Sequence, residues 1–409
     1  MVEKRAWVGL AVLFAVYTLN YLDRTLIYIL FKPIRAELSL NDLQLALLGS
    51  TAFVLFYTVL GVPFGRLADR VPRTWMIAAG LVVWSLASAG TGFAGSFATL
   101  FLCRMIVGVG EATLGPAAYS LLADWFPAGR RATAAALFAA GIPLGAGLAM
   151  GLGGWLAETV GWRMTFPILG VPGLLVAVAV LLLPEPRRAA QAHAAPQQPP
   201  LGEVLRRSKA LRWHVAGYAS FAVAANALSM WVPTLLADRF DRSLTEIGAI
   251  VGACAVGGGL AGTLLGGVAA DALQRRMAGG RMAFGALSAL LFAACWIALL
   301  HSSTMAVAVA ALAVGMGLGL AWLGPASADV QDLVDAPIRG TAIAMYYFVV
   351  NVVGYGIGAP LIGALKDAYG ADTALLVCPA ACLVAAGFLA MGARGRMTDG
   401  AAATRLAAA

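Results

Sequence analysis

A chain of 409 residues that is 61% hydrophobic and only 12% charged, with a mean hydropathy of +0.84, cannot cover a water-soluble globule and marks a membrane protein. Its net charge of +8 is distributed over short segments between apolar runs, which reflects membrane topology and attraction to anionic lipid and excludes a separate nucleic-acid-binding domain.

Apolar runs of ~20 residues, the length needed to cross the hydrocarbon core, fill nearly the whole chain. In chain order the predicted spans are 7–31, 42–64, 75–95, 98–121, 131–155, 164–184, 212–237, 243–270, 280–301, 304–328, 338–364 and 372–393. They are too long for barrel strands and lack strand alternation, so the class is an all-α membrane protein with twelve transmembrane helices. "MVEKR" before the first run resembles a signal peptide's basic start. The run after it is too long and lacks a small-residue cleavage site, so it reads as an uncleaved first span. With the N-terminus inside, 20 of the 28 Lys and Arg fall on the cytoplasmic side and 6 outside, which places both termini in the cytoplasm. Cys103, Cys254, Cys295, Cys378 and Cys382 all lie within spans as small apolar residues, and no disulfide framework or metal site is implied.

The main break in hydrophobicity, Pro184 to Arg212, is rich in Pro, Ala, Gln and Arg. It divides the chain into a six-helix bundle at 1–184, a cytoplasmic linker at 185–211, a second six-helix bundle at 212–394 and a cytoplasmic tail at 395–409. The start of the linker is expected to be disordered, and Leu201 to Arg212 to form a basic helix on the membrane surface. The halves repeat one another. "GRLAD" (65–69) after the second span has a counterpart in "GVAAD" (267–271) after the eighth, and "ADWFPAGRRATA" from Ala123 matches "QDLVDAPIRGTA" from Gln331 at a constant offset of 208. Two pseudo-symmetric halves of this kind characterise transporters built around a central site.

Here the sequence resembles the major facilitator superfamily. "GRLADRVPRT" is similar to that superfamily's loop signature, with Gly65, Asp69, Arg70 and Arg73 in place and Pro72 where a glycine is usual. Over Asn20 to Pro172 it resembles the spinster branch of lipid transporters, through "NYLDRTLIYILFKPIRAELS", "RMIVGVGEA" and "GIPLGAGLAMGLGGWLAETVGWRMTF". The resemblance implies two six-helix bundles of the superfamily fold and a proton-coupled transporter of amphipathic lipids. It also implies transport-critical Asp, Arg and Glu at Asp23, Arg104 and Glu111.

The residues make an independent argument for those positions. A charge at the centre of a span costs ~3 kcal/mol on insertion scales, and only Asp23, Arg24, Arg104 and Glu111 lie well inside spans. At ~1.5 Å of rise per residue Asp23 and Arg104 reach similar depths, so an Asp23–Arg104 pair is expected, with Glu111 ~10 Å deeper on nearly the same face as Arg104. Glu111 is the leading proton carrier and Asp23 the second. Arg24, about 100° away from Asp23, is read as snorkelling or as part of a structural ion pair.

The candidate substrate-binding residues are Arg104, Tyr17, Asn20, Tyr57, Tyr119, Asn226, Tyr347 and Asn351. The charged first half and the apolar second half suit an amphipath. At the cytoplasmic ends Asp69, Arg70, Arg73, Asp124, Arg131, Asp271 and Arg339 form a candidate gate. Gly141, Gly145, Ala149 and Gly153 in span five, and Gly258, Gly262 and Gly266 in span eight, are expected to pack across the seam between halves.

Only His193, His214 and His301 occur, near span ends or in loops, and no nucleophile–base, metal-ligand or nucleotide-binding spacing is present. The expected protein is therefore a monomeric secondary transporter without cofactors, driven by a proton gradient, whose partners are an amphipathic lipid (lysophospholipid or sphingoid-type), protons and membrane lipids. An organic-anion symporter and a hydrophobic-drug exporter of the same superfamily are the alternatives. Arg outnumbers Lys 24 to 4, a bias of GC-rich bacterial genomes, which points to an inner membrane.

Overall fold

The computed structural model describes residues 2–68, 70–186, 208–334 and 338–408. Twelve helices among them are long and apolar enough to cross a membrane: α1 Lys4–Ile29, α2 Asp42–Gly61, α3 Arg73–Thr91, α4 Phe97–Trp125, α5 Gly129–Thr159, α6 Gly161–Leu181, α7 Lys209–Phe240, α8 Leu244–Arg276, α9 Gly280–His301, α10 Met305–Asp332, α11 Ala342–Tyr369 and α12 Ala371–Met397.

Local sequence sets the helix ends. Asn41 caps the start of α2 by accepting from the Gln44 N–H at 2.8 Å, while the Gln44 side chain accepts from the Asn41 N–H at 3.0 Å. Ser96 and Thr99 do the same for α4. Sequence also sets the interruptions. α4 breaks between Glu111 and Leu114, ahead of Pro116, and α6 breaks at Val171 before Pro172. Inside α2 the backbone widens into a π-helical turn at Leu47–Thr51, and inside α11 into another at Val352–Gly358. A π turn releases carbonyls from the helical ladder, and one of those in α2 is used by the site described below.

The chain groups into two compact units, Met1–Gln191 with Ser229–Val256, and Ala192–Leu228 with Gly257–Ala409. The first unit therefore gathers the far half of α7 and the near part of α8 around the first six spans, a division that the linker position alone does not predict. Most of the linker and of the expected surface helix at 201–212 lies outside the described residues, but Lys209–Arg212 forms the first turn of α7. The segment expected as a tail from 395 continues the final helix, Val377–Ala408.

The glycine stripes do a different job from the one expected. Gly141 and Gly145 face Thr18 and Tyr21 of α1, and Gly153 faces Leu26 and Ile29. Gly258, Gly262 and Gly266 face Ala313, Gly317 and Ala321 of α10. Both stripes thus bring helices of the same unit together. The contact between α5 and α8 uses the interleaved glycines, where Gly147 meets Gly252 and Val256, and Gly154 meets Leu244 and Gly248. At that end the Glu158 carboxylate accepts from the Leu244 N–H at 2.6 Å and from the Thr245 hydroxyl, capping the start of α8, and Lys32 pairs with Asp238 at 2.7 Å.

A side chain at Gly154 would enter the Leu244 carbonyl. Overpacking of this kind costs ~1–3 kcal/mol, so Gly154→Val is expected to lower the thermal unfolding midpoint of the purified protein. Gly61→Ala, where a Cβ meets nothing within 4 Å, is expected to leave it unchanged.

Candidate functional site

The site is built from the charges that α1 and α4 carry into the membrane. "GVG" ahead of Glu111 allows the approach that positions it: Gly108 lies against the Phe53 backbone of α2, and Gly110 against Gly80 and Trp84 of α3. Glu111 is fully buried and receives two hydrogen bonds from Arg24 on one oxygen, from Nη2 at 2.9 Å and from Nε at 3.2 Å. The other oxygen, Oε1, makes no hydrogen bond. The Arg24 guanidinium also lies over three rings, Phe53 at 4.3 Å, Tyr21 at 4.7 Å and Tyr57 at 4.8 Å, and it donates to Asn20 Oδ1 at 3.5 Å. It is 14% exposed. Arg24 is therefore a cation held by one carboxylate in an aromatic cage.

Arg104 has no carboxylate partner. It is 1% exposed and donates to three main-chain carbonyls, Asp23 and Arg24 at 3.0 Å each and Leu48 at 3.4 Å. The Leu48 carbonyl belongs to the π turn of α2, and the adjacent Gly49 carbonyl accepts from the Tyr28 hydroxyl at 3.2 Å. The Asp23 carboxylate turns away to α3, where Ser88 donates to it at 2.7 Å. The expected Asp23–Arg104 ion pair is thus not formed. Arg104 uses the backbone beneath Asp23, and the ion pair of this site is Arg24–Glu111.

Two further charge clusters sit where α3 and α9 begin. Arg73, 1% exposed, meets Asp124 at 2.5 Å and Glu185 at 2.9 Å, and it donates to Ser120 at 2.8 Å. The other Glu185 oxygen accepts from the Thr74 N–H at 3.0 Å, which caps α3. In the second unit Arg281 meets Asp271 at 2.9 Å and Asp332 at 2.6 Å. Each cluster is a latch within its own half.

A model of the Major Facilitator Superfamily matches residues 13–358. The chain belongs to the Major Facilitator Superfamily. An "MFS-type efflux pump" of Mycolicibacterium smegmatis is 32% identical over 90% of this chain and 86% of its own. "Protein spinster homolog 3" of Danio rerio is 28% identical over 89% of this chain and 78% of its own. The crystal structure of a bacterial homolog to the human lysosomal transporter spinster, inward-facing and occupied, superimposes with a TM-score of 0.82 at 24% identity, over 94% of this chain and 96% of that one. As a member of this superfamily the chain is a secondary transporter working by alternating access and not an enzyme.

In this transporter the remaining expected site residues divide by surroundings. Tyr17 stacks on Phe138 at 4.3 Å, Tyr119 meets the same ring edge-on at 5.3 Å, and Tyr57 stacks on Phe53 at 5.2 Å. Asn20 is buried beside the Arg24–Glu111 pair. In the second unit Asn226 is buried with Nδ2 unpartnered, Tyr347 shares a hydrogen bond with Ser327 at 2.7 Å, and Asn351 immediately precedes the π turn of α11. Of the expected gate residues, Arg73, Asp124 and Asp271 lie in the latches. Arg131 and Arg339 instead donate to the backbone at Phe126 and Gln331. Arg70 is exposed, and Asp69 lies outside the described residues.

Arg281 and Glu185 were missed. Arg281 stands 208 residues after Arg73, the offset already visible in the loop repeat, so the repeat itself could have found it; Glu185 was hidden by its place in a proline-rich linker. The short helix Phe31–Leu38 carries Glu37, whose carboxyl is held below the usual carboxylate range by hydrogen bonds from Arg163 at 2.8 Å and Trp162 at 2.6 Å.

Removing Arg24 alone leaves the Glu111 carboxylate buried without a cation, and breaking a buried pair costs ~3–5 kcal/mol. Arg24→Ala is expected to be strongly destabilising and Arg24→Ala/Glu111→Gln to recover most of the loss in a double-mutant cycle of thermal unfolding. A double variant as unstable as the single would show that the pair is not the cause. A depressed carboxyl stabilises the fold above its unfolded value and loses that contribution as pH falls through the folded value. The advantage of wild type over Glu37→Gln is therefore expected at neutral pH and should vanish below the ordinary carboxylate range.

Proposed function

We propose that this transporter couples protons to the movement of an amphipathic lipid, a lysophospholipid or sphingoid-type molecule, with Glu111 as the proton carrier and Asp23 as a second carboxyl. The observation that carries this reading is the Arg24 cage. One guanidinium, open on one side, is neutralised by one fully buried carboxylate that keeps an unbonded oxygen. A proton arriving on Glu111 removes the anion that Arg24 holds, and an anionic headgroup takes its place. The two loadings therefore favour one another by linkage. The headgroup partner is Arg24 and not Arg104, because Arg104 is buried to 1% and three of its donors hold main-chain carbonyls that brace α1 and α2. Tyr21, Phe53 and Tyr57 supply the apolar wall beside the charge.

The resemblance to the spinster branch of lipid transporters over "NYLDR" and "RMIVGVGEA" supports the lipid reading. The Lys and Arg distribution supports termini in the cytoplasm, and the Arg-rich composition supports a bacterial inner membrane, where we place the protein as a monomer. The mycobacterial efflux pump, 32% identical over most of both chains, favours a second reading, export of hydrophobic compounds through the same charged site.

The deciding measurement uses protein in liposomes loaded with a pH-sensitive dye and challenged with lysophospholipids, a sphingoid phosphate, simple organic anions and a hydrophobic cationic dye. Proton flux is expected with the lipids alone and is expected to fall at least tenfold in Glu111→Gln. Flux with the cationic dye alone would support the export reading, flux with the organic anions would refute the lipid assignment, and an unimpaired Glu111→Gln would refute the proton role.

A further inference from the structure

The second unit encloses a group of polar side chains that the Arg24 site does not use. On α7, His214 is fully buried, and a polar neighbour of its ring is the Ala326 backbone of α10. One turn on, Tyr218 is fully buried with its hydroxyl unpartnered, and Tyr346 of α11 is in the same state. His214 contacts both rings, with centroids 4.7 Å from Tyr218 and 5.3 Å from Tyr346, and Tyr218 stacks on Trp322 of α10 at 5.0 Å. Asp329, two turns further along α10, is 1% exposed with Oδ2 unbonded, and its carboxyl lies within electrostatic reach of both tyrosines. Buried polar groups are almost always satisfied, so a group of unpartnered ones around a carboxyl requires a reason.

Architecture does not supply that reason. Asp329 stands three residues before the latch residue Asp332, and the first half carries the buried Leu121 at the matching place, three before Asp124. The latch itself is complete without Asp329, since Arg281 binds Asp271 and Asp332. The charges facing Asp329 are Arg281 from α9, Arg396 from α12 and Asp332 from α10 itself; α7 and α11 face it with Tyr218 and Tyr346. The rings contact one another closely, which suits the smallest ligand.

We propose that α7, α10 and α11 hold a second proton-binding site, in which Asp329 takes the proton and His214, Tyr218 and Tyr346 form its polar surround. Asp329 lies three residues from the end of α10 and is nonetheless 1% exposed, and it belongs to the half whose spans otherwise carry little charge. The site is separate from Glu111 and needs no substrate, so it stands or falls apart from the lipid reading.

The test is a pH-difference infrared titration of the full-length protein in detergent, following the carbonyl stretch of protonated carboxyl groups. A band that grows as pH falls is expected in wild type, in Asp23→Asn and in Glu111→Gln, and is expected to be missing in Asp329→Asn. The same band should move in frequency in His214→Gln and Tyr346→Phe. A folded Asp329→Asn with the wild-type difference spectrum would overturn the proposal. If that variant does not fold, an unmoved band in both His214→Gln and Tyr346→Phe would overturn it equally.

Discussion

Arg104 donates from Nε, Nη1 and Nη2 to carbonyls of Leu48, Asp23 and Arg24, and the arrangement of the first half depends on those three hydrogen bonds. A guanidinium far from water must have its donors filled by protein, and a carbonyl of an intact helix has only its second lone pair to offer, as those of Asp23 and Arg24 do. The π turn at Leu47–Thr51 helps resolve this conflict by freeing acceptors in α2. With Arg104 bound to backbone, the Asp23 side chain goes to Ser88 and the Arg24 side chain to Glu111. In the proposed cycle bracing and charge exchange fall to different arginines, so the group proposed to let go is not the one that holds α1, α2 and α4 together.

The latches follow a second economy of charge. Arg73 and Arg281 occupy matching positions at the first residues of α3 and α9, and each is gripped by the acidic residue near the end of the next helix, Asp124 of α4 or Asp332 of α10. Among the described residues the third member is Glu185 from beyond α6 in one half and Asp271 from α8 in the other. Glu185 also caps α3, so the first latch ties the start of the linker to a helix N-terminus.

The fold was legible in the sequence because the requirement for ~20 apolar residues is strict and only four charges lie well inside the twelve runs. The intramembrane charges were legible for the same reason, since a charge such as Glu111 stands out against hydrocarbon. Their partners were not. Asp23 and Arg24 are adjacent, and depth along a helix cannot distinguish a side chain from the carbonyl beside it, so Arg104 was matched with the Asp23 carboxylate when it binds the Asp23 backbone. The small-residue stripes were visible at their four-residue spacing, but spacing fixes a face and not the neighbour it meets. For Gly141 and Gly145 that neighbour is α1, while Gly147 and Gly154 meet α8. His214 was noted only as a histidine near a span end, and Asp329 fell just beyond the predicted tenth span, where sequence reading expects water.

The separations along the chain have a consequence for synthesis. Asp23 precedes Ser88 by 65 residues and Arg24 precedes Glu111 by 87, so α1 meets lipid before the side chains that hold its charges are made. An isolated ionised side chain at that depth is costly, and the nascent α1 must stay beside the insertion machinery, or in a shared aqueous vestibule, until α3 and α4 arrive. Arg104 faces the opposite situation, because all of its acceptors belong to helices already made. The fourth helix therefore completes the first cooperative unit of biogenesis, and release of α1 into the bilayer becomes a step timed by the emergence of Glu111.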